Sequence, residues 1–249
     1  MLILAFETTA KAGSVALMQD GKLLAESYQN TGLTHSQTIL SMAEDMLKSC
    51  GLTPRDVQAV AVAAGPGSFT GVRIGVAAAK GFAWGGELPC YGVSTLEAMA
   101  LNLGIYEGYV AAVMDARRAQ VYNAVFQVEA GKLTRLCDDR AISLEDLGAE
   151  LKSCEKPVFL VGDGSVLCYN TLKEQVPGLV QPPEHTMHQR AAGVALAAMA
   201  QIKRGNPGDP AALTPNYLRL SQAERERLEN KRRYSYGTGT CIGPSLDSA

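Results

Sequence analysis

The strand pattern at the start of the chain returns from residue 109 onward, and this repeat restricts the possible folds more than any other feature. An apolar strand at 2–6 ends at Glu7, and an apolar strand at 109–114 ends at Asp115. In both halves, two more strands, a helix, a buried strand, a glycine turn and another helix follow. The repeat therefore predicts an α/β protein made of two copies of one unit, each with its own mixed sheet.

The predicted elements divide the chain into two subdomains and a C-terminal part. Residues 1–104 form the first subdomain and 105–186 a smaller second one, and the region from about 187 to 233 packs back on the first. The Gly/Ser/Thr-rich tail 234–249 is expected to be disordered. The predicted strands are 2–6, 14–19, 22–29, 57–64, 89–93, 109–114, 121–128, 132–136 and 158–161. The predicted helices are 34–50, 71–85, 94–103, 144–151, 191–202 and 223–233, and the proline-rich stretch 177–184 is a loop.

Composition and charge exclude several classes of protein. With 249 residues, 47% of them hydrophobic, the chain can bury a sizeable core. Its formal net charge of -2 argues against binding nucleic acid through bulk charge alone. The six cysteines are scattered without a C-x-x-C pair, which indicates reduced thiols rather than a disulfide frame. No basic leader precedes the first strand and no stretch reaches the ~20 apolar residues of a membrane span. We therefore expect a cytoplasmic protein without a membrane partner.

A glycine turn, Gly65-Pro66-Gly67, opens a helix that carries almost no charge. Small residues recur at every fourth position of the helix at 71–85, and they form one bare ridge that allows a close approach. Such a helix is either a docking surface for a second protein chain or an ordinary core helix. On the first interpretation, the interface residues are Gly71, Val72, Gly75, Val76, Ala79, Phe82 and Ala83.

The acids that end the first strand of each half raise the possibility of a nucleotide site. Backbone N–H groups of a glycine turn can hold phosphate, and a carboxylate beside them can hold its metal. However, the turn after Glu7 is long and poor in glycine, and Asp115 is followed by Ala116-Arg117-Arg118 without any glycine. The alternative is that both acids cap turns. The candidate nucleotide-site residues are Glu7, Thr8, Gly65, Gly67 and Asp115.

Several catalytic patterns are absent. No Lys-Ser/Thr pair follows the last glycine of 65–71, so this is not a Walker loop. Thr70 occupies the last glycine position of a nucleophile elbow. His35 lies at a helix start, and the pair His185 and His188 lies in a proline-rich loop, so we predict no catalytic residue and no metal site. The basic residues that can contact RNA phosphate, a partner's carboxylates or solvent are Arg73, Lys80, Arg117 and Arg118.

Four stretches together resemble the TsaB (YeaZ) family over about residues 1–230. They are Ile3-Leu4-Ala5-Phe6-Glu7-Thr8-Thr9, Ala64-Gly65-Pro66-Gly67-Ser68-Phe69-Thr70-Gly71-Val72-Arg73-Ile74-Gly75, Asp115-Ala116-Arg117 and Tyr217-Leu218-Arg219. The resemblance implies the duplicated actin/Hsp70/sugar-kinase-like (ASKHA, RNase H-like) fold, which agrees with the repeat. Many members have Asp where this chain has Glu7, and the longer side chain weakens the case for an inherited ATP site.

The family is related to TsaD, the catalytic subunit, whose members carry an H-x-x-x-H metal pair. The matching run here is Gly92-Val93-Ser94-Thr95-Leu96-Glu97-Ala98-Met99, with Thr95 and Met99 in the histidine positions. Neither side chain is a useful ligand for a hard or borderline divalent metal. The resemblance therefore implies that this paralogue lacks the catalytic metal. The word peptidase, where it occurs in the family name, would then not indicate peptidase activity.

The resemblance implies a non-catalytic subunit needed to form N6-threonylcarbamoyladenosine at position 37 of tRNAs that read codons beginning with A. The chain would bind and stabilise TsaD through the helix at 71–85, help to assemble TsaE, and meet tRNA through the complex. ATP and threonylcarbamoyl-AMP would be used by the partner subunits, with no cofactor of its own. The isolated chain would form a homodimer, and a large charged residue at Gly75 or Ala79 would leave the monomer folded but unpaired. Two alternatives are a small-molecule kinase or ATPase of the same fold and a metallopeptidase.

Overall fold

Two sheets of the same strand order form the centre of the protein, which the computed structural model describes over residues 1–103 and 106–219. The strands are β1 (Leu2–Glu7), β2 (Gly13–Gln19), β3 (Lys22–Gln29), β4 (Ala59–Ala63), β5 (Cys90–Val93), β6 (Gly108–Asp115), β7 (Gln120–Glu129), β8 (Lys132–Arg135), β9 (Arg140–Ser143), β10 (Val158–Val161) and β11 (Leu179–Val180). The helices are α1 (His35–Ser49), α2 (Phe69–Gly85), α3 (Thr95–Asn102), α4 (Leu144–Leu151), α5 (Ser165–Leu172), α6 (Glu184–Met187) and α7 (Ala191–Lys203), and a 3-10 turn spans Pro54–Asp56.

The order of strands confirms the duplicated ASKHA-type α/β fold. The first sheet runs β3-β2-β1-β4-β5 and the second runs β8-β7-β6-β10-β11. In each sheet the three strands of the meander are antiparallel. The two strands that arrive after a helix are parallel to the first strand of their own half, and to each other.

Helices cover both faces of the first sheet. Side chains alternate along β1, so Leu4 and Phe6 point into the core formed with α1 and α2, whereas Ile3 and Ala5 point into the core formed with α7. Because both faces are buried, β1 is a continuous apolar run rather than an alternating one. This packing also brings α7, which follows the second sheet in the chain, back onto the first sheet.

One helix, α3, joins the two halves of the fold. Its Ala98 belongs to the core beneath α7, whereas Leu96 and Met99 belong to the core on one face of the second sheet. Helices α4 and α5 cover the other face of that sheet. An ion pair of 3.5 Å between Arg135 of β8 and Glu97 of α3 adds a polar link at the edge.

The structure differs from the sequence prediction in the second half. The predicted loop 177–184 contains the short strand β11, and β9, which pairs with β7, was not predicted. Strands of two to four residues carry too little periodicity to be recognised, and a neighbouring strand supplies their hydrogen bonds. The predicted helix 223–233 and tail 234–249 lie outside the described residues. The subdomain boundaries stay a prediction. Within the described ranges, no helix has the length and apolar character for a membrane crossing.

Candidate functional site

The small-residue ridge of α2 faces the protein's own core. The hydroxyl of Thr8 donates to the carbonyl of Gly71 at 2.7 Å. A Cβ on Gly71 would lie 2.1 Å from the carbonyl oxygen of Thr8, and a Cβ on Gly75 would lie 2.3 Å from its hydroxyl oxygen. The ridge is therefore occupied by the turn between β1 and β2 and is not available as the surface on which a second chain docks. Of the predicted interface residues, Phe82 is half-buried and the buried ones are Gly71, Val72, Gly75, Val76, Ala79 and Ala83.

The opposite face of α2 is exposed and largely apolar. Trp84 is 59% exposed, and Ala77 and Gly81 also lie on the surface. A Cβ on Gly81 would meet no atom within 4 Å. On the neighbouring helix α1, Leu40 is 53% exposed. We refer to the exposed surface of Ala77, Gly81 and Trp84 as the α2 outer face.

The start of α2 is fixed by a capping residue and by the turn after β1. The hydroxyl of Ser68 accepts a hydrogen bond from the N–H of Gly71 at 3.3 Å, which satisfies one of the donors that a first helical turn leaves unpaired. The N–H of Ser68 donates to the carbonyl of Thr9 at 2.6 Å. Position and direction of α2 are thus set by residues of the first β-hairpin.

Two of the basic residues selected from the sequence bond to residues 211–217, which we call the C-terminal segment. The guanidinium of Arg73 lies 3.8 Å from the ring centroid of Phe69, and its Nε donates to the hydroxyl of Tyr217 at 2.8 Å. The rings of Phe69 and Tyr217 stack with centroids 4.8 Å apart. The Nζ of Lys80 donates to the carbonyl of Leu213 at 3.1 Å. This cluster could not be predicted from the sequence because Arg73 and Tyr217 are 144 residues apart, and only the motif containing Tyr217 indicated a role for that residue.

Glu7 is buried at the end of β1 and supports the turn that follows. Its Oε1 accepts hydrogen bonds from the N–H and the hydroxyl of Thr9, both at 2.6 Å. Its Oε2 is buried without a partner among the described residues. Burial raises the pKa of Glu7 to about 7 against the opposing effect of the Thr9 hydrogen bonds, and the charge of Asp163 adds to the rise.

The candidate nucleotide-site residues do not form a phosphate cradle. Glu7 and Thr8 are fully buried. Protein atoms crowd the glycine turn, since a Cβ on Gly65 would lie 2.4 Å from the carbonyl oxygen of Asn216 and one on Gly67 would lie 2.5 Å from that of Thr9. Asp115 is exposed and accepts from the N–H of Arg117 at 2.7 Å. This arrangement favours the interpretation of Glu7 and Asp115 as turn-capping residues.

Asp163, at the end of β10, was not selected from the sequence as a site residue. Its Oδ1 accepts from the side-chain amide of Gln189 at 3.0 Å. The pKa of Asp163 is raised, mainly because protein atoms displace water from its carboxyl, and the charge of Asp115 contributes. The glycines on either side of Asp163 were the sequence signal that could have selected it. Even so, the described residues contain no group of three or more His, Cys, Asp or Glu side chains that could hold a metal ion.

The turn between β6 and β7 has a strained backbone. Three successive residues, Arg117, Arg118 and Ala119, have φ angles of 62°, 57° and 55°. This left-handed conformation places Cβ close to the following carbonyl and costs a non-glycine residue about 1–2 kcal/mol. Strain of this kind persists only where surrounding contacts impose it.

The contacts that impose the strain come from both ends of the turn. The N–H of Arg117 donates to Oδ1 of Asp115 at 2.7 Å. The carbonyl of Ala119 accepts from the N–H of Leu144, at the start of α4, at 3.2 Å. Both arginines of the turn are exposed, and neither side chain forms a hydrogen bond or ion pair with another described residue.

The substitution Ala119→Gly is expected to stabilise the protein by about 1 kcal/mol, because glycine adopts positive φ without the Cβ penalty. The matched substitution Ala141→Gly, at an exposed position of β9, is expected to destabilise it by about 0.5–1 kcal/mol. Urea denaturation of both variants measures the difference. A loss of stability in Ala119→Gly would contradict the left-handed turn.

Thr95 and Met99, which occupy the histidine positions of the related metal pair, are fully buried in α3. The N–H of Thr95 donates to the carbonyl of Gly65 at 3.0 Å. The sulfur of Met99 packs on the second sheet, 3.0 Å from where a Cβ on Gly162 would lie. A core hydroxyl and a core thioether are poor ligands for a hard divalent metal.

The remaining selected residues, the histidines, are separate from one another. His35 lies at the start of α1 with its Nε2 2.7 Å from the carbonyl oxygen of Ala10, so it supports the turn after β1. His185 lies within α6, and His188 directly follows it. These positions give no common site for the three imidazoles.

Comparisons with known proteins agree over most of the chain. A family model described as TsaD: tRNA N6-adenosine threonylcarbamoyltransferase matches residues 28–226. The chain is 32% identical over 232 residues to the tRNA threonylcarbamoyladenosine biosynthesis protein TsaB of Bacillus subtilis. The aligned region covers 93% of this chain and 100% of that protein. It is 46% identical over 129 residues to TsaB of Escherichia coli, and this aligned region covers 51% of this chain and 55% of that protein. A crystal structure from Pseudomonas aeruginosa, described as similar to peptidase YEAZ, has a TM-score of 0.73 at 28% identity and covers 88% of this chain and 99% of its own. The similarity therefore extends over both sheets.

Proposed function

We propose that this chain is a non-catalytic subunit that binds and orients a TsaD-type threonylcarbamoyltransferase. The basis is that the chain belongs to the TsaB family and acts in tRNA threonylcarbamoyladenosine biosynthesis. The partner performs the transfer to position 37 of the tRNA. ATP and threonylcarbamoyl-AMP are used by the partner subunits. A TsaE-type ATPase joins the complex, and the tRNA is bound by the assembly.

The α2 outer face is the observation that carries this proposal. The helix contains no acidic residue, and its two cations, Arg73 and Lys80, already bond to the C-terminal segment. Ala77, Gly81 and Trp84 carry no charge, so covering these three side chains does not itself bury an uncompensated charge, which is a large cost in burying protein surface. Trp84 has the size and the single donor that characterise the residues contributing most to protein interfaces.

The same face supports a homodimer when the partner is absent. An exposed apolar surface on one side of a helix pair can associate with a second copy about a two-fold axis. The two associations then compete for Trp84 and its neighbours, so a chain bound to the partner is not available for self-pairing.

The absence of a catalytic role is supported by the positions that would carry chemistry. Thr95 and Met99 are buried and are poor metal ligands. The turn after Glu7 is filled by its own hydrogen bonds and by α2. Threonylcarbamoyladenosine formation should therefore need both this chain and a TsaD-type protein, which is measured by assaying the modified base in a reconstituted mixture with and without this chain.

The substitution Gly81→Glu is expected to weaken binding of the TsaD-type partner by about 30-fold or more. A carboxylate at the centre of the α2 outer face would be buried without a partner on complex formation. The position is open to solvent in the free chain, so the fold is expected to be retained. Calorimetry of the two purified proteins gives the dissociation constant.

The matched control is Ala149→Glu, which places the same charge on an exposed position of helix α4. It is expected to bind the partner as the unaltered chain does. Equal affinity of the Gly81→Glu variant, with an unchanged melting temperature, would show that another surface docks the partner.

A further inference from the structure

The four basic residues selected from the sequence divide into two pairs in the structure. Arg73 and Lys80 are occupied by Tyr217 and by backbone carbonyls of the C-terminal segment. Arg117 and Arg118 are exposed, adjacent and without a side-chain partner among the described residues. Two arginines of the second sheet and the arginine directly before α7 are paired with carboxylates: Arg135 with Asp139, Arg140 with Glu150, and Arg190 with Glu26.

The backbone that carries Arg117 and Arg118 is held in an unfavourable conformation from both ends. Left-handed residues in succession are not needed to connect two antiparallel strands, because short hairpin loops with glycine do so without strain. Here Asp115 and the start of α4 impose the turn. Strained backbone that the surroundings maintain is concentrated at binding sites, where it orients the groups that make contact.

No carboxylate of the described residues forms an ion pair with Arg117 or Arg118. Asp115 is engaged by the backbone N–H of Arg117, not by a guanidinium. Asp146, in the first turn of α4, accepts from the hydroxyl of Ser143. Two neighbouring guanidinium groups are therefore without an ion-pair partner among the described residues, in a chain whose net charge is -2, and a local pair of this kind can bind anions where the bulk charge cannot.

We propose that Arg117 and Arg118 bind phosphate groups of the tRNA backbone in the complex with the TsaD-type partner. The inference rests on the proposed function, which brings tRNA to the assembly. The guanidinium group is planar and presents paired N–H donors to two phosphate oxygens, so each arginine can hold one phosphate. Because such contacts are independent of base identity, the turn positions the RNA and does not read its sequence.

The test compares the complex formed with the unaltered chain and with the double variant Arg117→Gln/Arg118→Gln. The probe is an unmodified tRNA transcript with adenosine at position 37, and binding is followed by fluorescence anisotropy over a range of KCl concentrations. We expect affinity to fall about 10-fold near physiological salt. The slope of log affinity against log salt is expected to become shallower by about 1 to 2. Binding of the variant neutralises fewer phosphates and therefore releases fewer counterions.

The matched control is Lys132→Gln/Lys173→Gln, which removes the same charge from exposed positions elsewhere around the second sheet. It is expected to change affinity by less than about 2-fold, with the slope unchanged. An equal effect of the control would mean that only bulk charge matters and would overturn the inference. Unchanged affinity and slope for the arginine variant, in a complex that still forms, would overturn it as well.

Size-exclusion chromatography with light scattering separates this inference from the proposed function. If the unaltered chain forms no complex with the TsaD-type protein, the proposed function fails and the inference fails with it. If the double arginine variant loses the partner instead of the tRNA, the turn contacts protein carboxylates, and the inference alone is overturned. A folded double variant that forms the complex with weaker, less salt-dependent tRNA binding supports it.

Discussion

Replacing Gly71 by alanine is expected to destabilise the protein by about 2–4 kcal/mol, although the same change normally stabilises a helix interior. A Cβ at this position would lie 2.1 Å from the carbonyl oxygen of Thr8, which belongs to the backbone and has no rotamer to change. Either α2 moves away from the sheet or the turn after β1 shifts. Both changes would stretch the hydrogen bond from the Thr8 hydroxyl to the Gly71 carbonyl.

The control is the same substitution at Gly81, on the opposite side of α2. A Cβ there would meet no atom within 4 Å, so only the helix propensity changes. We expect Gly81→Ala to stabilise the protein by about 0.5–1 kcal/mol. Urea denaturation of both variants gives two values of opposite sign. A Gly71→Ala variant as stable as the unaltered chain would mean that the ridge is not packed on Thr8.

The stability of the protein is expected to fall by about 2–3 kcal/mol between pH 5 and pH 8 through Glu7 alone. Burial raises the pKa of Glu7 from 4.5 to about 7 in the folded state. Below pH 4.5 both states hold the proton, and the contribution of Glu7 to stability is fully present. As the pH rises from there to about 7, the unfolded chain loses the proton while the folded chain keeps it, so stability declines. Above about pH 7 both states are ionised and the loss is complete.

The substitution Glu7→Gln isolates this effect, because all other titratable groups are shared with the unaltered chain. The amide can still accept the two hydrogen bonds from Thr9, and it does not ionise. The free energy of unfolding of the variant minus that of the unaltered chain is expected to increase by about 2–3 kcal/mol from pH 5 to pH 8. A difference that stays constant with pH would contradict the raised pKa of Glu7.

The fold could be predicted from the sequence because its signals are local and occur twice. The apolar strands that end at Glu7 and Asp115 begin two units with the same order of elements, and the two sheets have the same strand order. The short strands β9 and β11 could not be predicted in the same way, because they exist only where β7 and β10 offer hydrogen bonds.

The candidate site was predicted less well, because it depends on contacts between distant residues. Small residues at every fourth position of α2 indicated that something approaches this helix closely. They did not indicate whether a second chain or Thr8 does so. Likewise, the four basic residues look equivalent in the sequence, and the hydrogen-bond acceptors of Arg73 and Lys80 lie more than 130 residues away.

The sequence by itself determined the repeated α/β unit, the family, and the absence of a metal pair at Thr95 and Met99. The repeat follows from periodicity, the family from the resemblance of its motifs, and the replaced metal pair from matching the run 92–99 to the related TsaD pattern. The tertiary structure alone decided which face of α2 is exposed, that Glu7 is buried, and that Arg117 and Arg118 have no side-chain partner among residues 1–103 and 106–219. Burial, pKa and pairing depend on which groups meet when the sheets and helices pack, and an isolated stretch of sequence does not contain that information.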